Sequence, residues 1–221
     1  MTTDRFAEIQ RELTSRADPE AARAQEKNYG IPADHVYGVP MREMKKLAAD
    51  IGTDHALAER LWDTGNYESR TIAAFIADPV ETSIDVMDRW CRDSDSWALV
   101  DTLCFRLFDR APERWSRLEP WAQDDELYVK RAAFALRWAL ALHDKDADDH
   151  QFVDALALVR EHADDDRHLV TKAQTMALRA IVSKRPAAIP AVSDLVADLV
   201  ESPSAARRRV GRPILKLIAD A

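Results

Sequence analysis

The chain has 221 residues, 47% of them hydrophobic and 32% charged, with a formal net charge of -8; that is enough apolar content for a continuous core without disulfide or metal staples. Its five glycines, Gly30, Gly38, Gly52, Gly65 and Gly211, form no Gly-rich phosphate loop and no dinucleotide fingerprint, which argues against a nucleotide-fuelled enzyme. Cys91 and Cys104 are too far apart for a Cys-x-x-Cys pair. With no signal peptide and no long apolar stretch, they read as core thiols of a cytoplasmic protein without a membrane span.

In chain order, Asp4 to Arg16 carries Phe6, Ile9 and Leu13 at spacings of three and four, and Asp18-Pro19-Glu20 closes that helix and opens a second. Residues 1–40 are expected to cap a helical array. Tyr29 to Arg42 is a Gly/Pro loop that leads into a helix with Pro40 in its first turn. Helices are then predicted over 41–51, 55–63, 67–77, 80–92, 95–109, 113–122, 126–142, 149–163, 167–184, 188–200 and 204–219. No segment shows the strict alternation of a half-buried strand. Antiparallel helix pairs of about 40 residues without long linkers predict an all-α, HEAT-like α-solenoid, one domain over 1–221, with a concave face.

The charges are expected to be sorted within that architecture. Acids cluster in predicted loops, at Asp144 to Asp149 and Asp164 to Asp166, whereas cations concentrate at helix starts and in Arg207 to Arg209. Arg70, Arg131, Lys172 and Arg209 each stand just before an apolar run, and Asp101 occupies the same position in its own helix. These five are expected to lie in a row along a basic concave face, and a row of cations suits a polyanion. The lone anion calls for a chemical reason, and Trp97, one helical turn before it, shares its face. Trp62, Trp90, Trp115, Trp121 and Trp138 sit at apolar helical positions and read as core. No histidines have metal-ligand spacing, and the Asp144 to His150 loop lacks the order of a calcium loop, so it reads as a solvated linker.

The ordered set Val36-Tyr37-Gly38-Val39-Pro40-Met41-Arg42, Tyr67-Glu68-Ser69-Arg70, Trp97-Ala98-Leu99-Val100-Asp101-Thr102-Leu103-Cys104, Val129-Lys130-Arg131-Ala132, and Lys172-Ala173 followed by Met176-Ala177-Leu178-Arg179 resembles the AlkD-like DNA alkylation repair family, alkylpurine DNA glycosylases built from HEAT-like repeats. The resemblance implies removal of cationic N3- and N7-alkylated purines from duplex DNA by a monofunctional enzyme, without metal or cofactor and without extruding the base. It implies that Trp97 and Asp101 flank the deoxyribose of the lesion and that Arg131 holds its backbone. Where the family has a second tryptophan this sequence has Met176, which has no aromatic face to offer a cation.

The chemistry suits those residues. A purine alkylated at N3 or N7 is already positive and leaves as a neutral base, so the protein has to stabilise only the oxocarbenium-like sugar, through a carboxylate and an aromatic face. Lys130, Arg131, Lys172, Arg179, Arg70 and the Arg207, Arg208, Arg209 run are expected to hold phosphates, with Met176 beside them in the cleft. The expected protein is a monomer, cytoplasmic, and nucleoid-associated when bound to DNA. Two other classes stay open: a weakly catalytic or non-catalytic binder of damaged or branched DNA, and a protein-binding HEAT scaffold, which the acidic net charge favours.

Overall fold

A computed structural model describes residues 4–219. Among them every regular element is helical, with fourteen α-helices and four short 3-10 turns, so the all-α expectation holds. The chain divides into two compact units, Met1–Glu113 and Arg114–Ala221.

The first unit contains α1 (Arg5–Ser15), α2 (Pro19–Tyr29), a 3-10 turn (Ala33–His35), α3 (Met41–Ile51), α4 (His55–Trp62), α5 (Tyr67–Ile76), α6 (Ile84–Arg92), α7 (Trp97–Arg106) and a 3-10 turn (Phe108–Arg110). Six of these seven helices start where a short polar side chain accepts a first-turn amide hydrogen bond: Asp4, Asp18, Asp54, Asn66, Ser83 and Ser96. Such caps satisfy donors that have no partner inside the helix, at about 0.5–2 kcal/mol each. Two expected boundaries shift. The helix predicted from residue 80 begins at Ile84, because Ser83 is its cap and Thr82 N–H closes a turn on the Pro79 carbonyl at 3.2 Å. The helix predicted to run to 109 stops at Arg106, because Leu107 leaves helical geometry at φ -135°, ψ -60°.

At the centre of this unit Trp62 and Trp90 are fully buried and stacked, with ring centroids 4.2 Å apart. Trp62 Nε1 donates to Asp93 Oδ2 at 2.9 Å. Burying two indoles is a large apolar contribution, and this N–H keeps its hydrogen bond.

The loop before α3 is held by a carboxylate. Glu68, on the first turn of α5, is fully buried. Its Oε2 accepts from Tyr37 N–H at 3.0 Å, and its Oε1 accepts from Gly38 N–H at 2.7 Å and Val39 N–H at 3.0 Å. From the other side Asp18 N–H donates to the Tyr37 carbonyl at 2.7 Å. Gly38 is required at this close approach: its φ is +85°, and an added Cβ would lie 2.3 Å from the Asp18 carbonyl oxygen.

The second unit contains a 3-10 turn (Arg114–Arg117), α8 (Leu118–Gln123), α9 (Leu127–His143), α10 (Asp149–Asp154), α11 (Leu156–His162), α12 (His168–Lys184), a 3-10 turn (Pro186–Ala188), α13 (Ile189–Glu201) and α14 (Ala205–Ala219). The helix expected over 149–163 is two helices meeting at Ala155, and the one expected over 113–122 begins as a 3-10 turn. The principal packing is α9 against α12. Ala132, Ala133, Ala135, Ala139 and Ala141 are buried on α9, with Ala173, Ala177 and Ala180 on α12; small side chains let helix axes approach. Where α14 meets α13, a Cβ on Gly211 would lie 2.9 Å from Leu199 Cβ.

Two features of this unit depart from the sequence expectations. Asp144 is buried rather than solvated: its Oδ2 accepts from Arg114 Nε at 2.9 Å and Trp115 Nε1 at 3.2 Å, so the acidic loop begins with a tether. Of the five tryptophans expected in the core, Trp115 and Trp138 are only half-buried. Arg137 is fully buried, with no hydrogen-bond partner for its guanidinium among the described residues, and burial pushes its pKa down to about 9. Nothing in the sequence pattern around it explains a charge at that position.

Replacing Glu68 by Ala removes the acceptor of three amides, at about 1–3 kcal/mol for each that stays dry. The expected result is a lower urea midpoint and faster amide exchange at Tyr37, Gly38 and Val39 than anywhere else in the unit. Exchange there unchanged from wild type would mean that the carboxylate does not hold this loop.

Candidate nucleic-acid interface

Helix α7 opens the site. Ser96 caps it, with Oγ accepting from Leu99 N–H at 3.4 Å, and this sets Trp97 as its first residue. Leu99, Val100, Leu103 and Cys104 form its buried stripe. Trp97, Ala98, Asp101, Thr102 and Phe105 are half-buried on the other side. The helical period therefore puts Trp97 and Asp101 on one face, off the core side. The Trp97 ring is oriented by a hydrogen bond from Nε1 to the Tyr29 carbonyl at 2.7 Å and by an edge contact with the Tyr29 ring, centroids 6.3 Å apart.

Beside Trp97 lies a depression of about 340 Å³ lined by residues of α2, α3, α5, α7 and the intervening loop, among them Gln25, Tyr29, Met41 and Tyr67. Sequence reasoning missed this group. Its members come from several stretches between residues 25 and 98, and no single helix face holds them all.

In the same unit Arg70 already has structural work. Its Nε donates to the Trp62 carbonyl at 3.2 Å and its Nη1 to the Asp93 carbonyl at 2.7 Å, closing the ends of α4 and α6, while its guanidinium lies 4.9 Å from the centre of the Trp62 ring. A cation at a helix C-terminus is favoured by the carbonyls exposed there.

The expected cations of the second unit fall into two groups. Arg131 and Lys130 are buried in the first turns of α9. Arg131 Nη1 donates to the Leu169 carbonyl at 2.7 Å, and Lys130 Nζ is 3.7 Å from Asp165 Oδ2. Asp165 also receives Arg167 Nε at 2.9 Å, and Arg167 Nη1 reaches the Asp125 carbonyl at 2.7 Å. Burial alone would push the Asp165 carboxyl up, but hydrogen bonds from the Arg167 side chain and backbone, with the charges of Arg167 and Lys130, hold it below the ordinary carboxylate range. These four residues latch the start of α12 to the start of α9.

The other group is outward. Lys172 and Arg179 are exposed on α12 and Met176 is half-buried between them, at helical spacings of four and three. Lys172 and Met176 line one depression with His168, Thr171, Thr175 and Arg209 of α14. His168 and Thr175 were missed, although their spacing from Lys172 places them on the same stripe. Arg209 is exposed and reaches the Asp166 carbonyl at 3.5 Å. Its neighbours are more committed: Arg207 Nη1 is 3.1 Å from Asp164 Oδ2, and Arg208 Nη1 donates to the Ser202 carbonyl at 2.6 Å. The structure thus brings Lys172, Met176 and Arg209 together, and separately Trp97 and Asp101. Among the described residues no group of three or more His, Cys, Asp or Glu side chains is placed to hold a metal ion, and no helix is long and apolar enough to cross a membrane.

Comparison with known proteins bears on the family and the fold. The DNA alkylation repair enzyme family matches residues 9–191. No curated protein matches the chain. A solved structure, described as a new family of proteins related to the HEAT-like repeat DNA glycosylases with affinity for branched DNA structures, is 19% identical, covers 97% of this chain and 94% of its own, and superposes with a TM-score of 0.77. At that identity the likeness speaks for the fold, which is the HEAT-like one.

The latch around Asp165 has a pH signature. Its depressed carboxyl contributes stability above the unfolded-state pKa and loses it as pH falls through the lower folded-state value. Asp165→Asn is therefore expected to lower the thermal midpoint at neutral pH and to match wild type in strong acid. A deficit that is the same at every pH would remove the charge from the explanation.

Proposed function

This chain belongs to the DNA alkylation repair enzyme family, and from that premise we propose that it is a monofunctional glycosylase that hydrolyses the N-glycosidic bond of cationic N3- or N7-alkylated purines in duplex DNA without extruding the base. The observation that carries the reading is the pairing of Trp97 and Asp101 on the face of α7 that does not enter the core. A half-buried carboxylate and an indole with its ring already oriented by Tyr29 are what an oxocarbenium-like sugar requires.

The steps follow from the charge balance. The alkylated base takes the glycosidic electron pair and leaves neutral, so no general acid is needed. Positive charge grows on C1′ and the ring oxygen of the sugar. Asp101 stabilises it electrostatically and Trp97 presents its π face, and water then adds to C1′ to leave an abasic site. One preorganised group of this kind contributes several kcal/mol, or about 10² to 10³ in rate.

Phosphate contacts are assigned to the outward cations Lys172, Arg179 and Arg209. Arg131 and Lys130 act by holding the start of α12, since their charged ends are engaged inside the fold. An overall charge of -8 is compatible with DNA binding when a few exposed cations share one stripe and counterion release is local to them. On this reading the protein works as a monomer on DNA in the cytoplasm.

A second reading has a specific basis: Met176 stands where the resemblance implies a second tryptophan and has no aromatic face to offer a cation, and the structurally similar protein is described as having affinity for branched DNA. It makes the chain a recogniser of damaged or branched DNA with weak or no catalysis. Release of free methylpurine separates the two.

Asp101→Asn is expected to cut release of 7-methylguanine and 3-methyladenine from methylated duplex by about 10² to 10³ while leaving the affinity for DNA unchanged. An unaltered excision rate would remove Asp101 from the chemistry. The double variant Lys172→Ala, Arg209→Ala is expected to weaken duplex binding and to flatten the plot of log K against log salt by about 0.9 for each phosphate it no longer neutralises. A slope equal to wild type would take both residues out of the interface.

A further inference from the structure

The depression beside Trp97 belongs wholly to the first unit and has a definite chemical character. Ile31, Val39 and Met44 form a buried apolar floor, and the rings of Tyr29, Tyr67 and Trp97 line it. Burial pushes the Tyr67 phenol up to about 12, so that ring stays neutral across the working range. Its volume of about 340 Å³ is at the small end of ligand-sized pockets, which start at about 300 Å³. The polar feature that stands out is Gln25. Its Oε1 is buried and accepts no hydrogen bond among the described residues, although Gln25 lines the pocket. A buried acceptor without a donor is costly, and the cost is relieved when the Gln25 side chain turns this oxygen to the N–H of a ligand in the pocket.

A flat aromatic ligand with N–H on its edge fits those three facts, and α7 presents Trp97 both here and beside Asp101. We infer that this pocket holds one unpaired nucleobase of DNA, stacked on its aromatic lining and donating an edge N–H to Gln25 Oε1. The inference rests on the reading of the chain as a DNA-binding protein, not on its catalysis. Adenine, guanine, cytosine and thymine all carry an N–H on an edge and all have a π face, so the site is tolerant of sequence and reads the fact of being unpaired. The occupant is a base displaced from the helix by a bulge or junction. The alkylated purine whose bond is hydrolysed stays stacked and is a different nucleotide.

The probe is a duplex with a single bulged 2-aminopurine, compared with the same duplex carrying an abasic bulge and with one in which 2-aminopurine is paired to thymine. Base–aromatic stacking is worth about 1–3 kcal/mol, so the bulged base is expected to bind about 5- to 150-fold tighter than the abasic bulge, with its fluorescence quenched on binding. Met41→Trp fills the pocket from the first turn of α3. It is expected to abolish that preference and the quenching while keeping the affinity for fully paired duplex, which also reports that the variant is folded.

Equal affinity for the base and abasic bulges, or bulged-base emission that the protein leaves unchanged, overturns the inference. A preference that survives in Met41→Trp overturns it as well. These outcomes are independent of methylpurine release: loss of the bulge preference leaves the glycosylase reading standing, whereas a bulge preference without base release removes catalysis and keeps the pocket.

Discussion

The first unit depends on one carboxylate. Glu68 accepts three consecutive backbone N–H groups from a loop that has no helix or strand to absorb them. Unpaired amides at that depth would oppose folding, and the residue that resolves this sits on the first turn of α5, next to Tyr67 of the pocket. The loop in turn delivers Val39 to the pocket floor and sets where α3 begins. The placement of the pocket therefore traces to a structural anion that never meets a ligand.

The two tryptophan environments show how one residue type serves two ends. Trp62 and Trp90 are sealed from water, and the N–H of Trp62 is answered inside the fold by Asp93. Trp97 is half-buried, is held from a distant segment by the Tyr29 carbonyl, and borders an open depression. Arg70 closes the first environment by capping two helix ends over Trp62. A cation so engaged is part of the scaffold that supports α7.

Cations in the second unit divide by the same principle. Those in the first turns of α9 satisfy the Leu169 carbonyl and the Asp165 carboxylate, and that order passes to α12, whose outer stripe carries Lys172, Met176 and Arg179. A rigid helix bearing a few exposed charges is better matched to a regular polyanion than a loop bearing many, because less side-chain and backbone freedom is given up on binding. Methionine in that stripe gives an apolar, deformable surface in place of a rigid ring, which favours tolerance of shape over a fixed stack.

Helical period was legible in the chain itself. Apolar spacings of three and four marked out the helical segments, because that effect acts within one turn of the backbone, whereas the starts expected at 80 and 95 move to Ile84 and Trp97, behind the caps Ser83 and Ser96 that the structure shows. Trp97 and Asp101 were legible for the same reason: four residues apart on a helix is a statement about a face. Arg70, Lys130 and Arg131 looked alike with Lys172 and Arg209 in the sequence, and only the packing separated cations that close the fold from cations that face outward. Of the Gln25, Tyr29, Tyr67 and Trp97 pocket the chain by itself shows only the four-residue spacing of Gln25 and Tyr29 on α2. Its walls are brought together by helix packing and by the Glu68 clamp, and neighbours in space that stand dozens of positions apart leave no period in a sequence.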